Sequence, residues 1–174
     1  MDTSAGSGRK TAAAPWAPLL ADPTARADLG RALAPLLTAE VTRRLPAELA
    51  FDPQDGDIDA WIARADGIAR IHTITRTDTG ALAGLLLLSS ADDCDGRDLM
   101  IGYFLGRAHW GAGLASDMLA GLVERLDRGP RRRLLAGTDG DNLASQRVLE
   151  KAGFERDRSP GRQDRVTFGR ACGS

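Results

Sequence analysis

The stretch Ile101-Gly102-Tyr103-Phe104-Leu105-Gly106-Arg107-Ala108-His109-Trp110-Gly111-Ala112-Gly113-Leu114-Ala115 decides how this chain is read. Its first five residues are apolar or aromatic apart from one glycine, and Gly106 closes them off, which is the pattern of a buried strand. From Leu114 onward, Leu114, Met118, Leu119, Leu122, Val123 and Leu126 recur at helical spacing. The turn between them carries Gly111 and Gly113, residues that reach φ > 0 at little steric cost. A strand that passes through a glycine turn into a helix exposes several backbone N–H groups beside the positive end of the helix dipole. Such a place suits an anion, a pyrophosphate in particular. Ala115 keeps the first helical turn small. Taken alone, a Gly-x-Gly is a weak signal, and a tight strand-to-helix connection without a ligand is the reading it favours.

Two other phosphate motifs fit less well. A Walker A loop places lysine after its last glycine, whereas Leu114 follows Gly113 here. A dinucleotide fingerprint opens a βαβ unit, whereas two helices and a hairpin precede this turn.

Working outward toward the N-terminus, Met1 to Ala17 is rich in Ala, Gly, Ser and Thr and is expected to be a flexible tail before a single domain over residues 18–174. Leu29, Leu33, Leu36 and Leu37 repeat at helical spacing, and Val41 and Leu45 extend that face until Pro46. Ile58, Trp61, Ile62 and Ala65 form a second stripe with Asp57 placed to cap it, while Trp16 has no evident role. Ala69–Thr75 and Leu82–Leu88 read as a hairpin around Asp78-Thr79-Gly80. A polar acidic loop, Ala91 to Asp98, leads to the strand Leu99–Leu105.

Toward the C-terminus, Gly129-Pro130 ends the central helix and Arg133–Ala136 is a short strand. Asp141 or Asn142 caps a further helix through Lys151, stopped by Gly153. Phe154 to Arg170 reads as two closing strands around Ser159-Pro160-Gly161. The order α-α-β-β-β-α-β-α-β-β makes this an α/β chain.

The 174 residues suit one domain. With 43% hydrophobic and 27% charged residues, the composition is that of a globular protein, and a net charge of −1 gives no reason to expect nucleic acid or an anionic membrane as partner. The longest apolar run, Leu82–Leu88, is far short of the ~20 residues that span a bilayer. No apolar signal core follows the first basic residues, so export is not expected. Cys94 and Cys172 have no disulfide or metal-ligand spacing, which fits a cytoplasmic setting and no metal. Arg131-Arg132-Arg133 reads as a solvated turn, with phosphate contact as the other possibility.

Two segments carry a family resemblance. Trp110-Gly111-Ala112-Gly113-Leu114-Ala115 resembles the acetyl-CoA loop of the GCN5-related N-acetyltransferases (GNAT), with Gly113 and Ala115 in its last two fixed places. Trp110 departs from the usual Arg or Gln; with Ile-Gly-Tyr upstream it looks like the branch of the ribosomal-protein N-terminal acetyltransferases. Downstream, Asn142-Leu143-Ala144-Ser145-Gln146-Arg147-Val148-Leu149-Glu150-Lys151-Ala152-Gly153-Phe154 resembles the same branch's Asn-x-x-Ser…Leu-x-Lys-x-Gly-Phe segment. The resemblance covers roughly Glu40 to Arg170 and is strongest from Met100 to Phe154.

This resemblance implies a GNAT fold, a central mixed and mostly antiparallel twisted sheet of about six or seven strands with flanking helices, splayed at the acetyl-CoA site. It implies direct transfer of acetyl from acetyl-CoA to an amine, with no metal. Backbone groups at Phe104 and Leu105 would bind the acetyl and pantetheine part. N–H groups of Trp110, Gly111, Ala112, Gly113, Leu114 and Ala115 would bind the pyrophosphate. Asn142 would contact the pantetheine arm or orient the reacting end, although a plain helix cap is its other reading. The family's usual tyrosine acid falls at Leu149, so Ser145 is the candidate acid. The family's frequent glutamate base falls at Met100. Asp98, His109 and His72 are the remaining candidates and none is assigned; His109 is expected to face solvent and His72 to pack. Tyr103, the sole tyrosine, is expected to pack as well.

The acceptor is expected to be a peptide N-terminus or a small-molecule amine, and the acidic run Asp92-Asp93-Cys94-Asp95 is either a cation lure or a solvated loop. A homodimer is possible by family analogy. The alternative to an enzyme is a catalytically silent CoA-binding or protein-interaction module of the same fold.

Overall fold

The fold is taken from a computed structural model that describes residues 10–52, 54, 56–90, 98–157 and 165–173. In chain order the elements are β1 (Thr11–Pro15), α1 (Ala17–Ala21), α2 (Pro23–Leu33), α3 (Ala39–Thr42), α4 (Ile58–Ile68), β2 (Arg70–Arg76), β3 (Leu82–Ser90), β4 (Asp98–Leu105), α5 (Leu114–Asp127), β5 (Arg132–Asp139), α6 (Leu143–Lys151), β6 (Glu155–Arg156) and β7 (Arg165–Cys172). The strands form one sheet in the order β1-β2-β3-β4-β5-β7-β6. Every neighbouring pair is antiparallel except the central β4–β5 pair. This is the mixed, mostly antiparallel sheet that the sequence implies. The acidic run at residues 92–95 and the turn at 159–161 lie outside the described residues.

Both faces of the sheet are covered, so the central strands alternate between two cores. Leu86, Leu88, Ile101 and Leu105 pack with Leu114, Met118, Leu119 and Leu122 of α5 and Leu149 of α6. Leu85 and Phe104 pack on the other face with Leu29 and Leu33 of α2 and Trp61, Ile62 and Ala65 of α4. Covering on both faces is why β3 reads as an unbroken apolar run instead of alternating. Truncating a fully buried leucine such as Leu85 or Leu86 to alanine is expected to cost about 3 kcal/mol.

Helix boundaries follow local chemistry. Asp57 caps α4 by accepting from the N–H groups of Asp59 and Ala60 at 2.9 and 3.1 Å. Gly153, at φ +80°, follows the end of α6. The leucine face over residues 29–45 is not one helix: α2 ends at Leu33, a 3₁₀ turn spans Ala34–Leu36, and Thr38 caps a separate α3. Pro35, which lacks an N–H, sits where the expected helix would have run on.

The expected tail is corrected from residue 10 onward. Thr11–Pro15 pairs with β2 over five register positions, Thr11↔Arg76 to Pro15↔His72. Trp16 is buried, and its indole N–H donates to Asp66 at 2.8 Å. An alanine-rich strand carries no hydrophobic alternation to betray it; its stabilisation comes from the exposed edge of β2 and from Asp117 of α5, whose carboxylate accepts from the N–H groups of Lys10 and Thr11 and from the Thr11 hydroxyl.

Candidate active site

The central parallel pair is where the sheet opens. β4 and β5 pair only at Asp98↔Arg133, Leu99↔Leu134, Met100↔Leu135 and Ile101↔Ala136. Beyond Ile101, β4 follows β3 to Leu105↔Gly84, and beyond Ala136, β5 follows β7 to Asp139↔Arg165. The two strands therefore part into a wedge with Gly102–Leu105 as one wall and Gly137–Asp139 as the other. This is the splay that the resemblance implies.

Strand alternation decides which backbone groups face the wedge. The Gly106 N–H donates to the Ala83 carbonyl of the β3 side at 2.9 Å. In an unbroken register the N–H and C=O of Phe104 then also point to β3, and those of Tyr103 and Leu105 point to the wedge. The Phe104 carbonyl sits so close to Gly84 that a Cβ there would collide with it, which requires glycine at that place. The expectation named Phe104, whose backbone groups this phase turns toward β3, while those of Tyr103 turn toward the wedge; sequence gives the alternation but not its phase. Leu105 shares the phase of Tyr103. Its carbonyl accepts the Trp110 indole N–H at 2.7 Å, leaving the Leu105 N–H as its wedge-facing group.

At the exit of β4, a 3₁₀ turn (Arg107–His109) and Trp110 lead into Gly111 and Gly113, at φ +74° and +76°. Gly113 is the N-cap of α5 and no side chain caps it. The first-turn N–H groups of an α-helix have no partners within the helix. Gly111, Ala112 and Gly113 are exposed, whereas Leu114 is buried and anchors the turn in the core. A Cβ on Gly111 would meet open space, and one on Gly113 would meet only the Lys10 ammonium nitrogen, 3.7 Å away. The loop is an uncovered cradle with room for a phosphate group. Trp110, 46% exposed, fastens the loop back onto β4 through its indole bond to the Leu105 carbonyl.

On the other wall, Asn142 caps α6, its Oδ1 accepting from the Ser145 N–H at 3.2 Å. Gln146, which sequence reasoning passed over, holds α6 to the end of β5 by donating to the carbonyls of Asp139 and Gly140 at 3.2 and 2.9 Å. These contacts aim Ser145 at β4. The Ser145 Oγ and the Tyr103 Oη lie 3.0 Å apart. Burial pushes the Tyr103 phenol above its ordinary pKa, and the Ser145 hydroxyl partly offsets that by stabilising the phenolate. Tyr103 is therefore a neutral phenol at neutral pH. Sequence assigned it to packing; strand parity, which puts Tyr103 and Leu105 on one face, was the one available signal.

The remaining candidates fall elsewhere. Leu149 is buried in the core beneath α6. Met100 is exposed at the place of the family's base. Asp98 sits at the paired foot of β4, five residues or about 17 Å along the strand from Tyr103. His72 is buried on β2, as expected of packing. His109 differs from expectation: it is only partly exposed, and its Nδ1 is enclosed without a hydrogen-bond partner among the described residues. Arg131, Arg132 and Arg133 line a groove of about 930 Å³ with Asp98, Glu155 and Arg156, at the opposite end of β5 from the glycine loop.

A short strap bridges the two walls. Glu40 of α3 pairs with Arg107, just past β4, and Arg44 pairs with Asp141 at 2.9 Å and with Asp139 at 3.5 Å, at the exit of β5. The Asp141 carboxyl is held below its ordinary range by the hydrogen bond from Arg44. Among the described residues no cluster of His, Cys, Asp and Glu is placed to hold a metal, and no helix is long and apolar enough to cross a membrane.

No curated protein matches the sequence. Solved structures do. The ribosomal L7/L12 α-N-protein acetyltransferase RimL, in complex with coenzyme A, superposes with a TM-score of 0.69 at 18% identity, covering 97% of each chain. An acetyltransferase from Salmonella typhimurium that modifies the N-terminal serine of the same ribosomal protein gives 0.63 at 19% identity, over 93% of this chain and 95% of that one. The microcin C7 self-immunity acetyltransferase MccE, in complex with acetyl-CoA and AMP, gives 0.61 at 15% identity, over 97% and 99%. At such identities the likeness is one of fold. The sequence itself goes further: the model of the acetyltransferase (GNAT) domain matches residues 19–155, most of the chain and all of the wedge, so this protein belongs to the GNAT family of acetyltransferases.

Proposed function

We propose that the protein transfers acetyl from acetyl-CoA to a primary amine, and that the amine is the N-terminus of a peptide or protein. The observation that carries the proposal is the wedge between β4 and β5, with an uncapped glycine loop at its mouth and a Tyr103–Ser145 hydroxyl pair joining its walls. The peptide acceptor draws support from the ribosomal-protein acetyltransferases that share the fold.

Bound in the wedge, acetyl-CoA supplies an acetyl group activated as a thioester, and its thiolate is the leaving group. The chain's own tasks are positioning and proton handling. The N–H groups of Gly111 to Ala115 would take the pyrophosphate, where the α5 dipole favours negative charge. The wedge-facing N–H groups of Tyr103 and Leu105 would bind the acetyl and pantetheine carbonyls. Asn142, with its oxygen committed to the α6 cap, keeps its amide N–H₂ for the pantetheine arm. Ser145 would pass a proton to the departing sulfur, and Tyr103, a neutral phenol beside it, holds that hydroxyl in place and can replenish it. With Met100 in the base's place and Asp98 at the foot of the strand, the amine's proton is left to water.

One observation favours the second reading, a silent CoA-binding module: the family's acid and base places hold a core leucine and an exposed methionine. The experiment that separates the two is a peptide panel with acetyl-CoA, read by mass. An acetyl group appearing on free N-termini and absent from N-terminally blocked peptides supports the enzyme. Acetyl-CoA binding with no acetyl on any peptide or small amine supports the module. A cytoplasmic setting and a homodimer belong to the same proposal, and sedimentation tests the dimer.

A further inference from the structure

The residue just before strand β1 places a cation at the glycine loop, and we propose that this cation, Lys10, is a phosphate ligand of acetyl-CoA. The inference rests on the reading of the loop as the acetyl-CoA site and adds to it a residue from a part of the chain that the loop motif does not include. The Lys10 Nζ donates to the Ala112 carbonyl at 3.3 Å and lies 3.7 Å from where a Gly113 Cβ would be, within the exposed cradle between the two positive-φ glycines and the start of α5.

The placement is built, not incidental. Asp117 stands in the first turn of α5, and one of its carboxylate oxygens accepts the Lys10 N–H at 2.9 Å, the Thr11 N–H at 3.0 Å and the Thr11 hydroxyl at 2.9 Å. The Lys10 carbonyl accepts from the Thr77 N–H at 3.0 Å, and Thr11 is buried. The start of β1 is thereby fixed to the same helix turn whose N–H groups form the cradle. An ammonium has three donors, and among the described residues Lys10 gives one of them to Ala112. The other two remain for a phosphate seated on the Gly111–Gly113 cradle, beside which the Nζ lies. A carboxylate in the first helical turn would repel that phosphate; Asp117 is instead occupied by β1, and Lys10 offsets its charge at the cradle.

Lys10 is one of only two lysines in the chain and belongs to the segment that composition assigns to a tail. The ordered strand is what gives it a role.

The test is calorimetric binding of acetyl-CoA and of acetyl-dephospho-CoA, which lacks the 3′-phosphate, to the full chain and to Lys10→Ala and Lys10→Arg, at low and high salt. The Asp117 contact uses the Lys10 backbone N–H, so alanine leaves the anchor of β1 intact. Acetyl-CoA binding to Lys10→Ala is expected to weaken about tenfold, the gap to the parent narrowing at high salt, with Lys10→Arg near the parent. Equal weakening toward both ligands assigns Lys10 to the pyrophosphate; weakening toward acetyl-CoA alone assigns it to the 3′-phosphate. Parental affinity of Lys10→Ala for both ligands at both salt levels overturns the inference and leaves the loop reading standing. A folded parent that binds neither ligand overturns both.

Discussion

The Tyr103 and Ser145 hydroxyls, 3.0 Å apart, join β4 to α6 across the opening of the sheet. The two residues are 42 positions apart in sequence; Tyr103 lies on the diverging strand β4, and Ser145 on α6, which follows the other diverging strand, β5. The contact links the two sides of the wedge, and the chemistry proposed for the site runs through it.

Tyr103 is the sole tyrosine, so tyrosinate absorbance reads it without ambiguity. Its phenol is expected to titrate above the ordinary value of 10.0, because burial disfavours the phenolate. In Ser145→Ala the titration moves higher still, since the hydroxyl that stabilises the phenolate is gone. The sign for stability follows: a raised folded-state pKa gives a contribution that is complete below pH 10.0 and is lost as pH rises through the folded value. A tyrosine that titrates at or below its ordinary value contradicts the burial and the pair.

Kinetics separate the two hydroxyls. Ser145→Ala is expected to lower kcat about a hundredfold, the range of a lost general acid. Tyr103→Phe keeps the ring packing and removes only the partner of Ser145, so a smaller loss of about tenfold is expected, with acetyl-CoA affinity close to the parent's. Equal and additive losses in the double variant would show that the two groups act independently; a double variant no worse than Ser145→Ala is the expected result.

How much of this was legible in sequence depends on the range of the signal. The strand–glycine–helix unit and the capped α6 are local, and Gly111, Gly113 and Asn142 stand as their residue types require. β1 was missed because Ala12, Ala13 and Ala14 form a strand through the free edge of β2 and the Asp117 contacts, neither of which leaves a mark on the segment's own pattern. The family pattern maps the wedge-facing backbone groups onto Phe104 and Leu105, but the phase of a strand is set by its neighbour, here by the Gly106–Ala83 bond. Tyr103–Ser145 is a long-range contact that only the folding of β4 against α6 creates.

The Trp110 indole bond to the Leu105 carbonyl is expected to hold the loop in its ligand-ready shape. Trp110→Phe retains an aromatic ring and loses one hydrogen bond worth about 1 kcal/mol, so acetyl-CoA affinity is expected to fall about fivefold. Calorimetry checks this; an unchanged affinity would show that the loop holds its form without the indole.

The strap over residues 39–44 is tied to both walls by charge. Arg44→Ala is expected to speed amide exchange at α3 and the turn after it, while α5 and β3 keep their protection. Asp141 is held below its usual range by the Arg44 hydrogen bond, so its contribution is present above the ordinary aspartate value of 3.8 and is lost as pH falls through the lower folded value. Protection at the strap, taken relative to the intrinsic exchange rate at each pH, is therefore expected to fall toward acid pH in the parent and to change less in Arg44→Ala. An identical acid response in both removes Asp141 from that role.

The most direct test of the account is a calorimetric titration of acetyl-CoA into the parent and into Gly113→Glu, with circular dichroism to show that both are folded. The substitution puts a carboxylate where the pyrophosphate would lie, at a φ of +76° that disfavours any side chain. The account predicts binding in the micromolar range by the parent and none by the variant. A folded Gly113→Glu that binds acetyl-CoA as the parent does would contradict the glycine loop as the site on which the whole mechanism depends.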